Sequence, residues 1–126
     1  MPRRTDISPM AFDPDRFATV WEADQDVLRS LAENGDRPEI PRLVDVSFRG
    51  SAEALERVAA AAGEFGFSVA ERDFPEDEEP WLFLERVQTA EVGAIRHLTM
   101  TYLQIEDLFG VECDGWGCVA QTGLVH

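Results

Sequence analysis

Leu43-Val-Asp-Val-Ser-Phe-Arg49, followed at once by Gly50-Ser51, decides how the chain is read. Val44, Val46 and Phe48 alternate with Asp45, Ser47 and Arg49, the period of a strand with one buried face. Gly50 breaks the strand. Ser51 then caps a helix whose apolar face is Leu55, Val58, Ala59, Ala62 and Phe65. Gly66 stops that helix, and residues 67–74 return as a second strand. Pro75-Glu-Asp-Glu-Glu-Pro80 is a turn bounded by prolines, and residues 81–87 form a third strand, the most apolar of the set.

The same punctuation extends to both sides. Upstream, Asp13-Pro14 pairs an N-cap with proline at the first helical position. Phe17, Val20, Trp21, Val27, Leu28 and Leu31 then recur at helical spacing until Asn34-Gly35 ends the helix. Pro38 and Pro41 keep the following linker out of helix. Downstream, Thr89 reads as the cap of a long helix with Val92, Ile95, Leu98, Tyr102, Ile105 and Phe109 on one side. Gly110 ends it, and residues 111–120 form a last strand.

The sum is one helix followed by βαββαβ. That pattern predicts an α+β fold, a ferredoxin-like sandwich with a four-stranded antiparallel sheet, two helices on one face and an extra N-terminal helix. The expected organisation is a single domain over residues 13–120, with a flexible tail over 1–12 and a short C-terminal tail over 121–126. A chain of 126 residues, 44% of them hydrophobic, can bury a core without disulfide or metal staples and is not intrinsically disordered.

Charge narrows the function. The formal net charge is −14, a field that repels phosphate backbones and anionic lipid, so neither direct nucleic-acid binding nor membrane binding is expected. A basic protein surface would be attracted instead. Met1-Pro-Arg-Arg-Thr-Asp-Ile-Ser-Pro-Met10 has no apolar core of a signal peptide, and no apolar run is long enough to span a bilayer; a cytoplasmic protein is expected.

Specific sites are scarce. Gly63-Glu-Phe-Gly66 has the spacing of an RNA-clamping loop but carries Glu where a phosphate clamp needs a base, so it reads as a helix end. Cys113 and Cys118 do not have the spacing of a zinc knuckle, and only His97 and His126 could add imidazoles. The odd spacing of the two thiols puts them on opposite faces of a regular strand, and both read as structural and reduced. No metal and no cofactor is expected. His97 sits mid-helix and reads as a solvated or packing residue. Phe48-Arg49-Gly50-Ser51 resembles an anion-holding turn, yet lacks the Gly-rich loop of acylphosphatases and reads as a capped turn. No catalytic residue emerges.

Two features remain. Glu71, Asp73, Glu76, Asp77, Glu78 and Glu79 crowd one stretch, offset by Arg72 alone. Such a run is either a solvated loop or a docking site for a basic partner. Val111-Glu-Cys-Asp-Gly-Trp-Gly-Cys118 places glycines inside a strand, the mark of a bulge or of close backbone approach. Its Trp116 is either a core plug or an anchor for a partner.

Phe109-Gly-Val-Glu-Cys-Asp-Gly-Trp-Gly117, closing a small acidic domain, resembles the regulator of ribonuclease activity B (RraB) family, protein inhibitors of ribonuclease E. Val27-Leu-Arg-Ser-Leu-Ala-Glu-Asn-Gly-Asp36 is similar to the family's opening helix, and residues 52–67 to its helix of Leu and Ala ending in Gly and an aromatic. Cys113 stands where the family commonly has Tyr. The resemblance implies a ferredoxin-like domain without catalysis or cofactor that binds ribonuclease E outside its catalytic centre and modulates RNA decay. Glu76, Asp77, Glu78 and Glu79 are the expected source of electrostatic attraction, with Asp114 and Trp116 either at the contact or fixing the last strand. The alternative reading is a small-ligand or dimerisation module of the ferredoxin-like class.

Overall fold

The Asp13 carboxylate accepts the backbone N–H of Asp15 at 2.9 Å and Pro14 follows it, so the first helix begins where capping chemistry places it. A computed structural model describes residues 13–122; the expected tail over 1–12 and residues 123–126 lie outside the described residues. The first helix, α1 (Pro14–Glu33), ends at Asn34, whose side-chain amide donates to the Ser30 carbonyl at 2.8 Å. Then follow β1 (Arg42–Arg49), α2 (Ala52–Ala61) with a tighter last turn over Ala62–Phe65, β2 (Ser68–Asp73), β3 (Trp81–Gln88), α3 (Val92–Phe109) and β4 (Glu112–Cys118).

The strands form one antiparallel sheet in the order β2-β3-β1-β4, with β1 and β3 central. This is the ferredoxin-like order, and it follows from the hairpin between β2 and β3 and the two helical crossovers. Arg42, Val44, Val46 and Phe48 of β1 face inward and alternate with Leu43, Asp45 and Arg49, which are exposed. The inward side meets Leu82 and Leu84 of β3, Leu55 and Val58 of α2, and Ile95, Leu98 and Ile105 of α3, all buried. Each such side chain contributes about 1.5–3 kcal/mol by leaving water.

The N-terminal helix joins the same layer. α1 packs beside α3 and reaches β4 through Asp24, which bonds Thr99 of α3 and Trp116 of β4. Three helices therefore cover one side of the sheet, and the described residues leave the other side open.

Two local expectations are corrected. Thr89 does not cap α3: the cap position is Glu91, and the Thr89 hydroxyl bonds the Glu91 carboxylate at 3.1 Å. The helix starts two residues later than the expected cap implies, and Val92 is left exposed rather than facing the core. Cys113 and Cys118 do not lie on opposite faces. A bulge shifts the β1–β4 register between Ser47 and Phe48, so Phe48 pairs with Cys113, Val46 with Trp116 and Val44 with Cys118. The extra residue reverses the alternation, and all three β4 side chains point toward the helices. Gly115 carries the bulge at φ +118°, a backbone conformation that other residues rarely adopt.

Candidate protein-binding surface

On the open side the register fixes which residues are neighbours. Trp81 of β3 lies between Arg49 of β1 and Asp73 of β2, Phe83 between Ser47 and Glu71, and Glu85 between Asp45 and Ser68. Trp81 and Phe83, two apart on one strand, meet edge-on with ring centroids 4.7 Å apart, and both are half-exposed. Leu43 and Val87, directly opposite each other at the far end of the same face, are exposed as well.

Acids surround this pair of rings. Asp45 and Glu85 stand directly opposite each other, a like-charge pairing that costs stability in a sheet. Burial beside its neighbours raises the Asp45 carboxyl above the usual range. On the other side of Asp45 is Gly117, where a Cβ would sit 3.5 Å from the Asp45 carboxylate, an ordinary van der Waals contact. No cation pairs with Asp45, Glu71, Asp73 or Glu85 among the described residues.

At the end of the sheet Arg49 draws three carboxylates, one from the β2–β3 loop and two from β4. Its guanidinium lies 3.6 Å from Glu79 of the β2–β3 loop, 3.6 Å from Glu112 and 3.8 Å from Asp114 of β4. Two of the candidate partner-binding residues, Glu79 and Asp114, are thus brought to one place. These contacts are long and exposed, worth at most about 1 kcal/mol each. Glu76, Asp77 and Glu78 stand exposed in the same loop, with no cation beside them among the described residues.

Trp116 is elsewhere. Its half-buried indole faces the helices, and its N–H donates to Asp24 Oδ1 at 2.7 Å. The Thr99 hydroxyl bonds the other Asp24 oxygen. Burial pushes the Asp24 carboxyl up, and the bonds from Thr99 and Trp116 counter that only in part. Tyr102, buried beside this carboxylate, is pushed up too, first by burial and then by the Asp24 charge. Nearby, Arg16 grips Glu106 with two bonds of 3.0 and 2.7 Å, and Glu106 in turn accepts the Cys113 backbone N–H at 2.6 Å. Burial drives the Cys113 thiol up to about 12, so it stays protonated and unreactive near neutral pH. A cleft between α1 and the bulge is lined by Asp24, Tyr102, Cys113 and Trp116, and its Asp24 carboxylate is already bonded by Thr99 and Trp116.

A second buried polar cluster secures the segment just after β4. Arg42 and Asp36 form an ion pair at 2.7 Å with side chains 1% and 3% exposed. Asp36 also accepts the Gln121 backbone N–H at 2.7 Å, and the Gln121 carbonyl accepts from Arg37.

Chemically, these arrangements are hydrogen-bond and ion-pair networks. Ser51, at the anion-like turn, accepts the Ala54 N–H at 3.1 Å and is a helix cap. Gly63 and Gly66 sit in the last turn of the second helix and at its left-handed end. His97 is exposed on α3. Among the described residues no group of three His, Cys, Asp or Glu side chains is placed to hold a metal ion, and no helix is long and apolar enough to cross a membrane.

Sequence reasoning missed Trp81, Phe83, Asp45 and Glu85 as a shared surface. The signal was present: in Trp81-Leu-Phe-Leu-Glu85, the glutamate is in phase with both aromatics, which marks their side as the solvent face. Asp24 was missed as well, although it falls four residues from both Val20 and Leu28, inside the apolar stripe of α1.

No curated protein matches the chain significantly. Residues 21–118, from within α1 to the last residue of β4, match the family model described as Regulator of ribonuclease activity B. That match covers most of the chain and every strand of the sheet whose open side carries the acids, and the chain belongs to this family of ribonuclease regulators.

Proposed function

We propose that this protein binds ribonuclease E outside its catalytic centre, in the cytoplasm, and damps or redirects RNA decay without catalysing a reaction or using a cofactor. Residues 13–120 act as the single functional unit. Glu76, Asp77, Glu78 and Glu79, with Asp114, attract a basic surface of the ribonuclease, and Trp116 serves that contact by holding β4 in place. The observation that supports this reading most is the concentration of three acids from two elements, the β2–β3 loop and β4, at one end of the sheet around Arg49, in a chain of net charge −14 that belongs to a family of ribonuclease regulators. A field of that sign speeds encounter with a basic partner and repels RNA itself.

The test is a cleavage assay with purified ribonuclease E and a structured RNA substrate. Added protein should slow or redirect cleavage in proportion to complex formed, while the protein alone leaves the RNA intact and unbound. Unchanged cleavage at saturating protein, or retention of the RNA by the protein itself, would overturn the reading.

A further inference from the structure

We infer that the open face of the sheet is a receptor for arginine side chains: a flexible, arginine-bearing segment of the partner lies across it, with guanidinium groups stacked on Trp81 and Phe83 and bonded to Asp45, Glu71, Asp73 and Glu85. This deepens the ribonuclease reading and rests on it for the partner's identity. The placement of the rings is that of a nucleobase-stacking sheet, two half-exposed aromatics on a central strand. The charge around them is inverted. A carboxylate lies beside each ring on the β2 side, and Asp45, Glu71, Asp73 and Glu85 form no ion pair among the described residues, so a phosphate backbone is repelled. A planar guanidinium satisfies both halves of the surface. It stacks on aromatic faces and donates in pairs to carboxylates, whereas an ammonium does neither as well.

Three further observations select this occupant. Asp45 and Glu85 face each other at a cost to the free protein, and a cation placed between them removes it. A second copy of this chain would set the same acids against themselves, which charge forbids. The fold also uses the same chemistry internally, with the Arg86 guanidinium 4.5 Å above the Phe67 ring on the helix side. Arg49, the cation nearest the rings, is instead turned toward Glu79, Glu112 and Asp114.

The experiment titrates the full chain with a synthetic Arg-Ser repeat peptide and a Lys-Ser peptide of equal length and charge, at moderate salt. Wild type should bind the arginine peptide roughly tenfold more tightly, the scale of a few partly desolvated cation–π contacts. Trp81→Leu with Phe83→Leu should erase that preference. Asp45→Asn with Glu85→Gln should weaken both peptides while raising the melting temperature, a combination that a folding defect cannot produce. Equal affinity of wild type for the two peptides, or binding by both double variants that matches wild type, overturns the proposal. A parallel titration with ribonuclease E separates the two readings. If wild type and both double variants bind it equally, the sheet face is not the contact and the proposal falls while the ribonuclease reading stands. If no form binds it, the ribonuclease reading falls, and the peptide preference alone decides the proposal.

Discussion

The Trp116 indole N–H, on the last strand, donates to Asp24 Oδ1, on the first helix, at 2.7 Å, joining residues 92 positions apart. The bond does two things. It closes the N-terminal helix onto the edge of the sheet, and it holds the indole of the Asp-Gly-Trp-Gly stretch away from the open face. Trp116 of the chain's most distinctive motif thus packs on the helix side of the sheet, while Asp114 of the same motif lies near Arg49 at the sheet's end.

Trp116→Phe keeps most of the packing but leaves Asp24 with Thr99 as its remaining side-chain donor. The expected loss is about 1–3 kcal/mol, the cost of an unsatisfied buried acceptor. Trp116→Ala adds a cavity and should cost about 3–5 kcal/mol. Urea unfolding measures both. Phe at this position should leave partner binding within a few-fold of wild type once the variant is folded; a folded Trp116→Phe protein that no longer binds would make the indole a contact.

Asp24 also predicts a pH dependence. Its carboxyl is raised above the ordinary value of 3.8, with burial the largest cause. Between that value and the higher native one, the folded state holds more protons than the unfolded state, so this residue's contribution to stability falls as pH rises through the window. Below the window the contribution is most favourable; above it a constant deficit remains. Asp24→Asn can keep an acceptor for Trp116 and a polar partner for Thr99 while removing the titration. Stability of wild type minus that of Asp24→Asn, measured by denaturant unfolding across the acid range, should therefore decline with rising pH; a flat or rising difference would refute the assignment.

The buried pair of Arg42 and Asp36 gives a sharper loss. Removing either partner strands a charge, at a cost of about 3–5 kcal/mol. Asp36→Ala also deletes the acceptor for the Gln121 N–H, so hydrogen exchange at Gln121 should accelerate by more than global destabilisation accounts for. Replacing both partners with apolar residues should recover much of the stability but not the protection at Gln121.

How much of this could be read from the chain alone depends on the range of the physics. β1 and the caps at Asp13 and Ser51 rest on local alternation and local hydrogen bonds, and they stand where the sequence places them. The start of α3 was misplaced because Thr89 is as good a cap residue as any, and its hydroxyl went to the Glu91 side chain instead. The shared face of Cys113 and Cys118 depends on one bulge, and a single inserted residue inverts every later side chain. The acids of the β2–β3 loop were legible as a charge run, but not their meeting with Asp114 at Arg49. That meeting requires the register of three strands. Trp81 and Phe83 were passed over because the strand reads as an apolar run, although Glu85, in phase with both, marks their side as the solvent face.

Neutralising Glu76, Asp77, Glu78 and Glu79 together to their amides tests the loop. Association with the partner should slow, by roughly tenfold at low salt, and its salt dependence should flatten, while dissociation and the melting temperature change little. Stopped-flow association at several ionic strengths reads this directly. An unchanged rate and salt slope would make the loop a solvated face.

The central claim, that an acidic sheet presents itself to ribonuclease E, is met most directly by capture of the tagged protein from its own cells at low and at moderate salt, with the co-purifying proteins identified. The account predicts ribonuclease E enriched at low salt and depleted at moderate salt. Its absence at both would contradict the account.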